Sequence, residues 1–296
     1  MKRVAITAST GMLGSMLYHT LRDRFDLVML YRTQEKLALL QHAYGPLETH
    51  TVIQFDLQRL EADYTSGQAA EPFGKEARAL MEAIGDVDAI INAAGVTKVY
   101  SGRDPRSTLF LNGALPYILS TIYGERLIHI TTDCVYHGLS GASYDEHSPV
   151  HPNDLYGLSK AIGEPAATSL VLRSSFVGPE IADSTGLIEW LRSKKGQRVT
   201  GYNNHWWNGL TTKQLAESLA MIIENRSGFP ATGLFHLFST DMTKEAMLQA
   251  LNIKYKLDVT IESVAATPAI DRRLASVHDF CRRLHIPSFS DMLERL

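Results

Sequence analysis

A doubly wound α/β fold, a parallel (Rossmann) sheet with a smaller C-terminal lobe, is what this 296-residue chain predicts. Three observations carry that expectation. Short apolar runs recur over roughly the first 180 residues, separated by amphipathic stretches of helix length, the alternation that builds parallel sheets. The first run, Val4–Thr7, opens into Ala8-Ser-Thr-Gly11-Met-Leu-Gly14, a turn able to aim backbone N–H groups at an anion where a helix starts. Two later runs end in Asn92-Ala-Ala-Gly95 and in Ile130-Thr-Thr-Asp133, polar residues at the carboxyl edge where such sheets take their ligands.

In chain order, Val4–Thr7 is the first strand, and the helix after the glycine turn carries Leu13, Leu17 and Leu21 on one side. Asp26–Tyr31 is a second strand of the buried parallel kind and Thr51–Phe55 a third. Arg59–Gly74 is polar and punctuated by Gly and Pro, a surface loop. A helix over Lys75–Ile84 leads to a fourth strand, Val87–Ile91, and a helix over Pro105–Tyr123 holds Asn112. Leu127–Thr131 is the fifth strand, a Gly/Ser loop runs to Pro152, the Tyr156 helix follows, and Ser169–Arg173 is the sixth strand. Beyond Val177-Gly-Pro179 the rhythm changes: a short helix over Gly186–Ser193, an aromatic polar loop over Asn203–Gly209, a helix over Thr211–Asn225, a strand over Gly233–Phe238, and a mixed remainder. The expected division is a dinucleotide-binding domain over 1–178, with 208–240 returning to its sheet, and a substrate lobe from 179–207 and 241–296.

Composition narrows the function. Hydrophobic residues make up 45% of the chain and charged ones 21%, ordinary for a globular protein. A net charge of −3 without a basic block speaks against nucleic acid. No apolar run has the length of a membrane span, the start reads as a strand rather than a signal peptide, and Cys134 and Cys281 form no disulfide framework. A soluble, cytoplasmic protein is expected. His137, His147 and His151 have no metal-ligand spacing, so no metal is expected either.

Tyr156-Gly-Leu-Ser-Lys160 stacks a phenol and an ammonium on one helix face. Such a lysine can lower a tyrosine from its usual pKa of about 10 and make it a working acid/base. Thr132, at the end of the fifth strand, offers a hydroxyl for a carbonyl oxygen, while Thr131 points to the opposite face. Gly11 and Gly14 suit a pyrophosphate, although Ala8 stands where the first fingerprint glycine would. After the second strand comes Arg32 instead of an acid, which either clamps a 2′-phosphate and favours NADP over NAD or is a solvated surface arginine. Asp56 either accepts from an adenine amino group or caps its turn. Asp133 either orients substrate or caps. Trp206, Trp207, Trp190 and Phe176 either stack on ligand or fill the lobe's core.

Together Thr7–Gly14, Asn92–Gly95, His129–Gly138, Asp154–Glu164 and Leu172–Val177 resemble the extended short-chain dehydrogenase/reductase superfamily, most of all its branch of dTDP-4-dehydrorhamnose reductases and related sugar-nucleotide reductases. The likeness implies a catalytic Thr132, Tyr156 and Lys160. It implies a cofactor site of Gly11, Met12, Leu13, Gly14, Arg32, Asp56, Leu57, Ala93, Ala94 and Gly95 together with Tyr156 and Lys160. It also implies a sugar pocket near Arg173, with Thr97, Asp133, Phe176 and Trp207 toward substrate. Cys134 departs from the tyrosine usual in these reductases. The expected activity is an NADP(H)-dependent reduction of a nucleotide-linked 4-keto-6-deoxy sugar, with NAD as the other cofactor and a homodimer allowed for. The competing readings are an epimerase or dehydratase of the same fold, and a non-catalytic dinucleotide-binding subunit.

Overall fold

The computed structural model describes residues 1–47, 49–65 and 73–296. Its centre is a seven-stranded, all-parallel sheet. In chain order the first half runs β1 (Arg3–Ile6), α1 (Met12–Leu21), β2 (Asp26–Tyr31), α2 (Gln34–Tyr44), β3 (Thr51–Gln54), α3 (Glu61–Thr65), α4 (Lys75–Ile84), β4 (Ala89–Asn92), α5 (Lys98–Ser101), α6 (Pro105–Leu109), α7 (Leu115–Tyr123), β5 (Leu127–Thr131), α8 (Leu155–Ile162) and β6 (Leu170–Ser174). The second half runs β7 (Phe176–Val177), α9 (Leu187–Arg192), β8 (Arg198–Tyr202), β9 (His205–Trp207), β10 (Leu210–Thr211), α10 (Thr212–Glu224), β11 (Gly233–Leu237), β12 (Met242–Thr243), α11 (Lys244–Tyr255), β13 (Thr260–Val264), β14 (Ile270–Asp271), α12 (Phe280–Arg283) and α13 (Phe289–Arg295). The large sheet has the order β11-β6-β5-β4-β1-β2-β3, so the strand order reverses beside β1, where a doubly wound sheet opens its ligand crevice.

Each face of that sheet has its own core. Leu13, Leu17 and Leu21 of α1 pack with Leu215 and Leu219 of α10 on one side; Leu80 and Ile84 of α4 pack with Leu115 and Leu119 of α7 on the other. Strands covered on both faces need near-continuous apolar runs, which is why Leu27–Leu30 is almost wholly inaccessible.

Three segments differ from expectation. The stretch after Phe55 starts with a helical turn, Leu57–Leu60, followed by α3, because Leu57 and Leu60 at a three-residue spacing both reach the core; residues 66–72 of the expected loop lie outside the described residues. The long helix expected over Pro105–Tyr123 is α6 and α7 joined by a π-turn, Phe110–Ala114, that contains Asn112. The aromatic loop at Asn203–Gly209 contains β9, the middle strand of a small sheet of order β12-β9-β14. Its partners lie beyond residue 240, far along the chain, so local pattern could not reveal them.

At the glycine turn Ala8 takes φ +48°, the left-handed conformation that the missing glycine would favour, at a cost of about 1–2 kcal/mol. Gly14 permits the close approach of helix to turn: a Cβ there would overlap the Ala8 carbonyl and lie 2.7 Å from Ser9 Cα. Gly14→Ala is therefore expected to lower stability by about 1–3 kcal/mol through overpacking. Urea unfolding checks this, and an unchanged midpoint would show that the turn yields freely.

Candidate active site

Helix α8 brings the central pair to the sheet edge. The Asp154 side chain caps it by accepting from Gly157 N at 2.8 Å, and Lys98 Nζ holds the same carboxylate at 2.7 Å. Gly157 lets α8 sit directly on the turn after β5, because any Cβ there would overlap the Cys134 carbonyl and approach Pro152 Cβ to 2.9 Å. That contact brings Tyr156 near Thr132, which acts to lower the phenol's pKa. Thr132 itself is fixed: it caps the short helical turn Asp133–Val135, accepting from Cys134 N at 3.1 Å, and donates to Asp133 Oδ1 at 3.1 Å. Thr131, on the other face, is buried with no partner for its hydroxyl among the described residues.

Lys160, four residues after Tyr156, is buried at 7% exposure and donates to Ile130 O at 3.4 Å. Burial, opposed by the Glu164 carboxylate, pulls its pKa down to about 8. Tyr156 moves the other way. Burial of the phenol raises its pKa, the nearby Cys134 adds to the rise, and Thr132 opposes it. The expected lowering of the tyrosine is thus corrected: burial first, then the nearby Cys134, raises its pKa, and the phenol stays protonated.

Asn112 is a positioning residue that the residue pattern noted only as lying on a helix. Its amide donates to Val96 O (3.0 Å) and Ser159 Oγ (3.1 Å) and accepts from Val96 N (2.8 Å), tying the loop after β4 to α8. The π-turn is what aims it inward, a common use of such bulges. Thr7 is a second. Its hydroxyl donates to Asn92 Oδ1 (2.8 Å) and accepts from Ala93 N and Ala94 N (3.0 and 3.1 Å), so the ends of β1 and β4 form one floor. Asn92 in turn donates to the fully buried His129 at 3.1 Å, with the imidazole held well below its usual pKa by burial and the Lys160 charge, and so neutral.

The other expected residues divide. Gly11 and Met12 are partly exposed at the start of α1, whose first turn carries no acid, so nothing there repels a phosphate. Leu13 and Leu57 have core side chains, leaving only their main chain for a ligand. Arg32 is exposed at the end of β2 and enters no ion pair among the described residues, while the Asp56 carboxylate caps the following turn by accepting from Gln58 N at 3.1 Å. Ala93, Ala94 and Gly95 line the turn beside Asn112 and Lys160, and Thr97 is exposed at the start of α5. Phe176 is half-buried against the core. Trp207 is corrected to a core residue: it is 3% exposed and meets Phe289 edge-on at 5.4 Å, whereas Trp206 is the exposed ring. Arg173 is likewise interior, forked onto Glu164 at 2.9 and 2.6 Å and bonded to Tyr136 Oη at 2.6 Å.

A nicotinamide dinucleotide fits these residues: a helix N-terminus over a small-residue turn, an exposed cation after β2, and a phenol–ammonium pair at the same sheet edge.

The chain is similar to proteins of glycan synthesis. It is 28% identical over 201 residues to the probable low-salt glycan biosynthesis reductase Agl14 of Haloferax volcanii, covering 64% of this chain and 59% of that protein. It therefore spans less than two thirds of the length of that curated relative. Among solved structures, dTDP-4-dehydrorhamnose reductase from Bacillus anthracis, in complex with NADP, superposes with a TM-score of 0.70 at 17% identity, over 100% of this chain and 98% of the other. UDP-glucuronic acid 4-epimerase from Bacillus cereus gives 0.73 at 16% identity, over 99% and 96%. At such identities both establish the fold. The model of the RmlD substrate binding domain matches residues 1–275, and the chain belongs to that family.

Proposed function

We propose that the protein is an NADP(H)-dependent reductase of a nucleotide-linked 4-keto-6-deoxy sugar, serving deoxysugar or surface-polysaccharide precursor synthesis. The observation that carries this reading is the meeting of Thr132, Tyr156 and Lys160 at the carboxyl edge of the parallel sheet. The family membership and the relatives named for glycan and dTDP-sugar reduction support it.

A bound nicotinamide dinucleotide supplies the hydride. The chain's own residues do the rest. The α1 N-terminus at Gly11–Gly14 receives the pyrophosphate, Arg32 the 2′-phosphate, and Lys160 the nicotinamide ribose. Thr132 holds the carbonyl oxygen, and Tyr156 gives that oxygen its proton. Burial keeps the phenol protonated beforehand, and the Lys160 ammonium offsets the negative charge left on it afterwards.

NADPH oxidation with a panel of nucleotide 4-keto sugars tests the reading; a protein inert toward all of them would sink it. Tyr156→Phe is expected to keep fold and NADPH binding while turnover falls about 10²–10⁴-fold. A Phe variant as fast as the parent would remove the tyrosine from the reaction.

Arg32→Ala should weaken NADPH by about 1–3 kcal/mol and NADH hardly at all. Equal losses in parallel titrations would show that Arg32 does not meet the 2′-phosphate.

Lys160→Met should abolish turnover yet raise stability. The folded pKa of about 8 lies below the unfolded value of about 10.4. The buried charge therefore penalises the fold fully below pH 8, and the penalty fades as pH rises from there toward 10.4. A gain of about 1–3 kcal/mol at pH 7, shrinking in alkali, is expected in thermal unfolding; a loss at pH 7 would show that the ammonium is compensated.

A further inference from the structure

We propose that Asp183 is a built-in competitor for the 2′-phosphate of the cofactor: its carboxylate holds the Lys36 ammonium, and NADP(H), unlike NAD(H), displaces it. The inference rests on the proposed cofactor position, with the pyrophosphate at the α1 N-terminus and the 2′-phosphate after β2, and not on the identity of the substrate.

The segment 178–186, between β7 and α9, touches both places that the dinucleotide joins. At its end Gly186 abuts the first residue of α1: a Cβ there would lie 2.7 Å from Met12 Cε. In its middle, Asp183 Oδ2 accepts from Lys36 Nζ of α2 at 2.6 Å. Ser9 N and Oγ both donate to Leu30 O at 2.8 Å, so the glycine turn and the end of β2 are neighbours, and the segment spans them. Its shape is fixed from within. The Glu180 carboxylate accepts from Thr185 N and Gly186 N, both at 2.8 Å. Ile181 and Leu187 pack against the core on either side of Asp183.

Lys36 is the next cation along the chain after Arg32 and lies in the first turn of α2. A phosphate monoester carries about 1.5 to 2 negative charges near neutrality, more than one guanidinium balances. A second cation at the end of β2 therefore suits NADP(H), and Lys36 is the one in place. It is already engaged. The Asp183 carboxylate gives its ammonium the same charge-assisted hydrogen bond that a phosphate oxygen gives. The pair is partly open to water, with side chains 29% and 42% exposed, so it is weak enough for a dianion to break. NAD(H) brings a neutral 2′-hydroxyl and has no charge with which to displace the carboxylate. Asp183 therefore narrows the preference for NADP(H) that Lys36 and Arg32 create.

Calorimetric titration of the full chain with NADP⁺ and with NAD⁺ tests this without requiring turnover. Asp183→Asn is expected to tighten NADP⁺ about 2–5-fold, the worth of a partly exposed ion pair, and to leave NAD⁺ unimproved. Lys36→Gln should weaken NADP⁺ about 10-fold with little change for NAD⁺. Because Asp183 acts through Lys36, the double variant should match Lys36→Gln alone. Melting curves without cofactor confirm that each variant is folded. The proposal is overturned if either single variant leaves NADP⁺ affinity unchanged, if Asp183→Asn weakens it, as loss of a clamp on the cofactor would, or if NAD⁺ shifts equally. A parent that shows the expected pattern yet reduces no keto sugar would leave the competition standing and remove the reductase reading instead. A parent that reduces a keto sugar while Lys36→Gln binds NADP⁺ undiminished would remove the competition alone.

Discussion

Carrying the Lys160 ammonium into the interior, with a backbone carbonyl as its hydrogen-bond acceptor, is the constraint around which the sheet edge is built. A charge so placed is tolerable only if its surroundings are rigid and polar at the right points. The π-turn at Asn112, the threefold clasp of that amide on Val96 and Ser159, and the Thr7–Asn92–His129 chain supply those points from three different strands and two helices. His129 contributes by staying neutral, since a second buried cation facing Lys160 would add repulsion to desolvation. The site is thus stabilised by its frame rather than by its own contacts.

How much of this could be read from the chain follows from how far apart the partners lie in sequence. The strands of the large sheet were legible because most contain a short apolar run, and the Tyr156–Lys160 helix because its two functional residues are spaced to share a face. The frame was not. Nothing local announces that Asn112 sits on a π-turn, or that Gly157 is needed against a carbonyl more than twenty residues earlier. The sense of the tyrosine's pKa shift was misjudged for the same reason: spacing shows the neighbouring ammonium, while desolvation comes from parts of the chain that only the fold assembles.

The small sheet of order β12-β9-β14 shows the limit most sharply. β9 is a strand because β12 and β14 flank it, yet they lie beyond residue 240 and pair with it in opposite senses. Once that sheet exists, adjacent tryptophans part company: Trp207 turns into the core and Trp206 outward under Arg273, as side chains alternate along any strand. The alternation is elementary, but it cannot be applied until the segment is known to be a strand.

The same geometry bears on the choice among reactions this fold can host. Removing water from a sugar requires, besides hydride movement, one group to protonate the leaving hydroxyl and another to take a carbon-bound proton. Beyond Thr132 the turn offers Asp133 and then Cys134. With its pKa raised to about 12, the thiol of Cys134 neither accepts a proton readily as thiolate nor releases one near neutrality. That leaves a single carboxylate, already engaged by the Thr132 hydroxyl, where elimination asks for two groups of different proton affinity. Ketone reduction asks only for one protonated donor at the carbonyl oxygen, and the Tyr156 phenol, its pKa raised, is kept in that state. The acid–base equipment of the crevice therefore supports the proposed reduction over dehydration.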